Sequence, residues 1–297
     1  MQEEMKKIIV SLLAATVLAG FSSCSDDDKT VPSVMIDQNA VTSVAKPGEI
    51  VFHWTKPTNP DYYYIKVKYN DPAKGVVVKN ASSYADSLVI DGLYAKYGKI
   101  DFQFSGVSRD GGETTPFTVS AQAGAVPATV KDAGLGEAIT LTGNDLWTDD
   151  QESSEGPIKN LVDGNNNSYF HMSWSSPSPF PHYIVVDLKK EVSGVMFNYV
   201  CRDHNNKDNP KQITVFGSNE FNQSLDALGS ATELTVLSGL PGTKGASYES
   251  PHIVSVTPFR YLWLRIDSST SGSNWVALTK LSVTEVRTTI FDPENAK

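Results

Sequence analysis

Three groups of residues have the types and spacing that could do chemistry. The first is a run of oxygen donors on one turn: Asp163, Gly164, Asn165, Asn167 and Ser168. Such oxygens suit a hard cation such as calcium, which takes about six to eight of them at about 2.3–2.6 Å. The second group is aromatic and planar polar residues in loop-like segments: Trp147, His171, Arg202 with Asn205 and Asn206, and Trp275. An aromatic face stacks on the C–H side of a sugar ring, while the Arg fork and the Asn amide match its hydroxyls. That group points to carbohydrate recognition. Arg202 has a structural alternative, pairing with Asp203 or Asp149. The third group is a single residue, Cys24, which follows an apolar N-terminal run.

Catalytic patterns are missing from the sequence. Glycoside hydrolysis needs two carboxylates flanking a bond, and the acidic residues lie mostly in loops and near the N-terminus. Neither a nucleophile elbow, an HExxH helix nor a phosphate-cradling glycine loop occurs. His171 and His182 are not at metal-ligand spacing. Reversible binding is therefore expected, and the chain is not expected to be an enzyme. Trp, Tyr and Arg also form protein hot spots, so a protein-binding adhesin or a structural subunit of a surface uptake complex is the rival reading.

The chain has 297 residues, enough for about two domains. Its formal charge of −9, from 25 basic and 34 acidic residues, argues against nucleic acid and anionic lipid as partners. Two cysteines, Cys24 and Cys201, cannot build a disulfide framework or a cysteine zinc site. Cys201 is expected to be a small buried hydrophobe.

Residues 1–23 read as a secretory signal, with Lys6 and Lys7 before an apolar run too short to span a membrane. The sequence Gly20-Phe21-Ser22-Ser23-Cys24 resembles a bacterial lipoprotein signal, which implies acylation of Cys24. The acidic run Asp26-Asp27-Asp28 resembles the export signal of Bacteroidetes surface lipoproteins. The resemblance implies lipid anchoring to the outer face of the outer membrane, with an acidic tether over residues 24–31.

Residues 32–123 alternate short β-rich runs with turn signals such as Asp91-Gly92 and Gly111-Gly112. Ile65, Val67 and Tyr69 share one strand face, as do Ile100, Phe102 and Phe104. Regular short strands without a helical period imply a β-sandwich. Trp54, Tyr64, Asp91-Gly92-Leu93 and Asp110-Gly111-Gly112 resemble a fibronectin type III module. Trp54 and Tyr64 are expected in its core, Tyr63 outside it, and the domain is expected to be a spacer. Residues 124–137 are small and Gly-rich and read as a linker.

Residues 138–290 hold eight strand candidates, as in a jelly-roll sandwich, with a tail over 291–297. The fold class expected is all-β throughout. The opening stretch Asp163-Gly164-Asn165, with Trp174, Pro181 and a strand ending Asp187-Leu188, resembles an F5/8 type C (discoidin-like, galactose-binding-like) domain. Ile213–Ser218, Phe259–Leu264 and Ala277–Val283 continue the resemblance in order.

The resemblance implies a glycan site on loops at one end of the sandwich and a core role for Trp174. It also implies a structural calcium at Asp163, Asn165 and Ser168. The Glu that relatives place on the closing strand falls at Lys280, so the loop either holds calcium or is closed by an Asp163–Lys280 pair. Together these features suggest a surface lipoprotein that captures polysaccharide or host glycan, alongside surface uptake proteins.

Overall fold

The computed structural model describes residues 29–204 and 208–296. The signal, Cys24, and the loop residues Asn205 and Asn206 lie outside these. The chain divides into two compact units at Pro127/Ala128. No helix among the described residues is long and apolar enough to cross a membrane.

The first unit is built from seven strands: β1 (Thr42–Lys46), β2 (Glu49–His53), β3 (Tyr64–Asp71), β4 (Gly75–Ser82), β5 (Ser87–Asp91), β6 (Ile100–Val107) and β7 (Phe117–Ala121). They form a three-stranded sheet, β1-β2-β5, and a four-stranded sheet, β4-β3-β6-β7. This is the sandwich that the strand spacing implied. Alternation fixes which face is buried. In β3, Ile65, Val67 and Tyr69 are buried between the more exposed Lys66, Lys68 and Asn70. Phe52 of the facing sheet meets Phe102 and Phe104 edge-on, with centroids 4.9 and 5.2 Å away. Trp54 is buried as expected, and its indole N–H donates to the Ala85 carbonyl at 3.0 Å.

The tyrosine run is a correction. Tyr62, not Tyr64, reaches the core, at 3% exposure. Tyr64 sits on the same face as Lys66 and Lys68, one residue out of step with Ile65, so the strand's parity keeps it outside. Tyr63 is exposed as expected.

The second unit contains β8 (Thr129–Ile139), β9 (Leu146–Thr148), β10 (Phe170–His171), β11 (His182–Cys201), β12 (Pro210–Ser218), β13 (Thr232–Ser238), β14 (Ser247–Glu249), β15 (Ile253–Ser269) and β16 (Ala277–Phe291). The central order is β10-β16-β11-β15-β12-β13, all antiparallel. Runs that read as separate strands are continuous: β11 joins two expected strands, and so does β15. Strand β11 first pairs β15 and then, from Val195 on, β16. Long strands that bend and change partners make the corners of such sandwiches. Gly194 sits at this change, where a Cβ would lie 2.8 Å from the Val286 carbonyl.

Two apolar clusters result. The larger, between the layers, contains Phe170, Met172, Phe197, Tyr199, Cys201, Leu262 and Leu264. Cys201 is a buried free thiol, and burial pushes its pKa up to about 11. The smaller lies on the opposite strand face, where Trp263 packs with Tyr183, Val185 and Phe216. The expected linker is a second correction. Its residues 129–137 belong to β8, which pairs β16 from Thr129↔Phe291 to Ile139↔Val283. The same pairing takes Phe291, expected in the tail, into a strand.

Candidate functional site

The site grows from one buried carboxylate. Glu152 is only 2% exposed. Its Oε2 accepts the N–H groups of Trp174 (3.2 Å) and Ser175 (3.0 Å), and its Oε1 accepts the Ser153 N–H (3.0 Å) and the Ser175 hydroxyl (3.0 Å). These bonds, led by the Ser175 N–H, hold its pKa down to about 2. A buried charge is tolerated only when so fully hydrogen-bonded. Glu152 thus ties Trp174 and Ser175 to Ser153 and Ser154.

The main chain adds a second tie. The Glu152 N–H donates to the His171 carbonyl, and the His171 N–H donates to the Gly156 carbonyl, both at 2.9 Å. Gly156 has φ +64°, and a Cβ there would lie 2.7 Å from the His171 nitrogen. Only glycine permits this approach without strain.

On this base, four side chains form a surface cluster. The Arg202 guanidinium lies 3.4 Å from the centroid of the Tyr169 ring. The Tyr169 hydroxyl donates to Glu155, and the Trp174 indole N–H donates to the other Glu155 oxygen at 3.0 Å. The Tyr169 bond holds the Glu155 carboxyl below its ordinary range and raises the phenol. Trp174 remains 47% exposed. Arg202 directly follows β11, and its N–H donates to the Ala277 carbonyl at 3.2 Å. A planar cation stacked on an aromatic ring beside an exposed indole can hold a flat ligand with several hydroxyls.

The expected binding residues meet different fates. Arg202 is in the cluster, on Tyr169 rather than paired with Asp203 or Asp149. His171 lies beside Tyr169, its ring centroid 6.4 Å away, but is 6% exposed, with Nδ1 2.6 Å from the Met172 carbonyl. It packs edge-on to Tyr169 from a buried position. Trp275 is partly buried against the main core rather than projecting from its loop. Its neighbour Val276 accepts the Met172 N–H at 3.1 Å, so the segment borders the same end. Trp147 lies elsewhere, in the smaller apolar cluster, edge-on to Phe221 at 5.4 Å. Asn205 and Asn206 fall outside the described residues.

Trp174 is the main reversal. Expected in the core, it is exposed because Glu152 and Glu155 hold its backbone and indole in a Ser-rich loop. Tyr169, Glu155 and Glu152 gave no local signal. Their roles depend on partners far along the chain.

The Asp163 loop closes on itself. The Asp163 carboxylate accepts the Asn165 N–H at 2.8 Å and lies 2.9 Å from the Ser168 hydroxyl, which lies 2.8 Å from the Asn165 carbonyl. The Asn165 N–H bond leads in holding Asp163 below its ordinary range. A small cleft beside it, about 170 Å³, is lined by Asp163, Asn165 and Lys280. Lys280 makes no ion pair with Asp163 among the described residues, so the expected closing pair is replaced by the turn's own hydrogen bonds. The turn offers one carboxylate beside carbonyl and hydroxyl oxygens, with a lysine across the cleft. No cluster of three or more His, Cys, Asp or Glu suited to a metal occurs among the described residues.

Residues 145–281 match the family model for the F5/8 type C domain. Residues 33–123 match that of a domain of unknown function (DUF4959). No curated protein matches the chain. Among solved structures, a Clostridium perfringens CBM32 module in complex with GalNAc-beta-1,3-galactose is 14% identical. It covers 50% of this chain and 99% of its own, with a TM-score of 0.41. The C-terminal domain of a Bacteroides fragilis chitobiase is 19% identical over 51% of this chain and 99% of its own, with a TM-score of 0.39. A SusE-like protein is 16% identical over 84% of this chain and 97% of its own, with a TM-score of 0.38. From the family match and its own strand order, the second unit is an F5/8 type C domain, preceded by a β-sandwich that matches DUF4959.

Proposed function

We propose that the chain is a non-catalytic carbohydrate-binding protein held at the cell surface by lipid on Cys24. Its main binding surface is the Tyr169–Arg202–Trp174 cluster. One observation carries this reading: Arg202 lies 3.4 Å over Tyr169 while Glu155 fixes both Tyr169 and the exposed Trp174. The aromatic surface would take a sugar's apolar side and the guanidinium its hydroxyls. Rigid placement lowers the ordering cost of binding. Modest single-site affinity strengthened by many copies on one membrane is expected.

The test is a glycan array probed with residues 25–297, without lipid, beside a Trp174→Ala variant. Binding to a defined glycan that the variant loses supports the reading. Silence of the folded chain across the array would move the surface to a protein partner. Acylation is tested separately: a Cys24→Ala chain should leave the membrane fraction.

A further inference from the structure

The first unit, expected to be a bare spacer, carries an aromatic cleft of its own. Strand β3 runs antiparallel to both β4 and β6, so its start meets their ends at one end of the sheet. The main chain locks this junction. The Tyr63 N–H donates to the Val107 carbonyl at 2.7 Å, and the Ser83 N–H donates to the Tyr63 carbonyl at 3.3 Å. The cleft there measures about 730 Å³, within the range of about 300–1,000 Å³ common for ligand sites.

Its lining is unusual for a structural surface. Tyr63 and Tyr84 are 57% and 86% exposed, so neither contributes much to the core. Two large aromatics left open beside one concavity call for a ligand more than single exposed residues do. Arg109 lies 5.2 Å over the Tyr63 ring and has no carboxylate within ion-pair distance among the described residues.

Two carboxylates line the same cleft, but protein donors already hold them. Asp61 accepts the Ser33 hydroxyl and N–H at 2.7 and 2.8 Å and the Val34 N–H at 2.9 Å. Asp110 accepts the Ser108 hydroxyl and the N–H groups of Thr30 and Gly112. These bonds leave Arg109 as the charged group without a fixed partner. The mixture of hydroxyl, guanidinium and aromatic face does not suit an apolar peptide. Two fixed carboxylates do not suit a polyanion.

We propose that this cleft is a second carbohydrate-binding site, with a sugar ring stacked on Tyr63 and Tyr84 and its hydroxyls bonded by Arg109. The site is independent of the Tyr169–Arg202–Trp174 surface. Two sites on one chain would raise avidity for a polymer that carries both epitopes.

The experiment is native affinity electrophoresis of residues 25–297 through gels containing a neutral polysaccharide: arabinogalactan, starch, xylan or galactomannan. Three variants run beside wild type: Tyr63→Ala/Tyr84→Ala, Arg109→Ala and Trp174→Ala/Arg202→Ala. The expected result is retardation in at least one gel that survives Trp174→Ala/Arg202→Ala. Tyr63→Ala/Tyr84→Ala should weaken that retardation by about tenfold or more, as expected for two lost aromatic faces.

The proposal is overturned if the tyrosine variant migrates as wild type in every gel, or if wild type is retarded in none. Retardation abolished by Trp174→Ala/Arg202→Ala alone would support the second unit's site and overturn this one. Binding of a proline-rich peptide but no polysaccharide at the tyrosines would also overturn it. Should the double variant unfold, Tyr84→Ala alone carries the test, because that side chain is 86% exposed.

Discussion

The two units place arginine on tyrosine in different ways. In the second, Arg202 sits 3.4 Å over Tyr169, above a buried Glu152 and a glycine that only a tight backbone approach requires. In the first, Arg109 stands 5.2 Å over Tyr63 at the rim of an open cleft. The second site is held from below by hydrogen bonds far apart in sequence. The first is held by strand ends and by two exposed carboxylates, Asp61 and Asp110, which accept from Ser33, Val34 and Thr30. The difference teaches where mutation should destabilise and where it should only weaken binding.

The largest contrast in stability should come from Gly156→Ala against Tyr84→Ala. The first forces a side chain into positive φ and against the backbone of His171, at a cost of about 2–4 kcal/mol. The second removes an exposed ring and should change stability by less than about 0.5 kcal/mol. Chemical denaturation of both variants checks this, and equal midpoints would remove the distinction.

Next in size is Arg202→Lys. A lysine keeps the charge but loses the planar stack and the fork. Affinity for an array-selected glycan should fall about tenfold while the melting temperature stays near wild type. A comparable loss of stability would make Arg202 a structural residue.

Acid should act on the second unit through Glu152. Its folded pKa of about 2 lies below the ordinary value of 4.5. A depressed carboxyl contributes stability that is full above the unfolded pKa and is lost as pH falls toward the folded one. Melting temperature should therefore drop between about pH 5 and pH 2. Glu152→Gln should flatten that drop and lower the melting temperature at neutral pH, because an amide cannot accept with both ends.

Calcium should have the smallest effect. With Lys280 beside the Asp163 loop, millimolar calcium should leave the melting temperature unchanged. Lys280→Glu supplies a second carboxylate and should create a calcium-dependent rise. A rise already present in wild type would show that the loop assembles a donor set despite the lysine.

Much of the fold was legible because strand alternation is a local signal. The faces built by Ile65, Val67 and Tyr69, and by Ile100, Phe102 and Phe104, fell as their spacing required. Strand β8 was not legible. It is mostly solvent-facing and includes Gly134 and Gly136, so it looks like a linker until its pairing with β16 is seen. Nor was the continuity of β11 read: the strand expected to end at Asp187-Leu188 runs on through Lys189, which adopts φ 65°.

The site was legible only in part. Arg202 stood out by residue type in a polar loop. Tyr169 and Glu155 did not, because their roles come from contacts across many residues. Trp174 was assigned inward by family likeness, whereas its Ser-rich surroundings already argued for a loop.

The most direct test of the central claim uses the indole N–H signals of the five tryptophans in a ¹⁵N-labelled chain. Mono- and disaccharides from the array would be titrated in, with shifts assigned by single Trp→Phe variants. The expected result is a saturable shift of the Trp174 indole, while the buried Trp263 and Trp54 signals stay still. A sugar that binds and moves Trp147 instead, or a panel that moves no indole in the folded chain, would contradict the assignment of the Tyr169–Arg202–Trp174 surface.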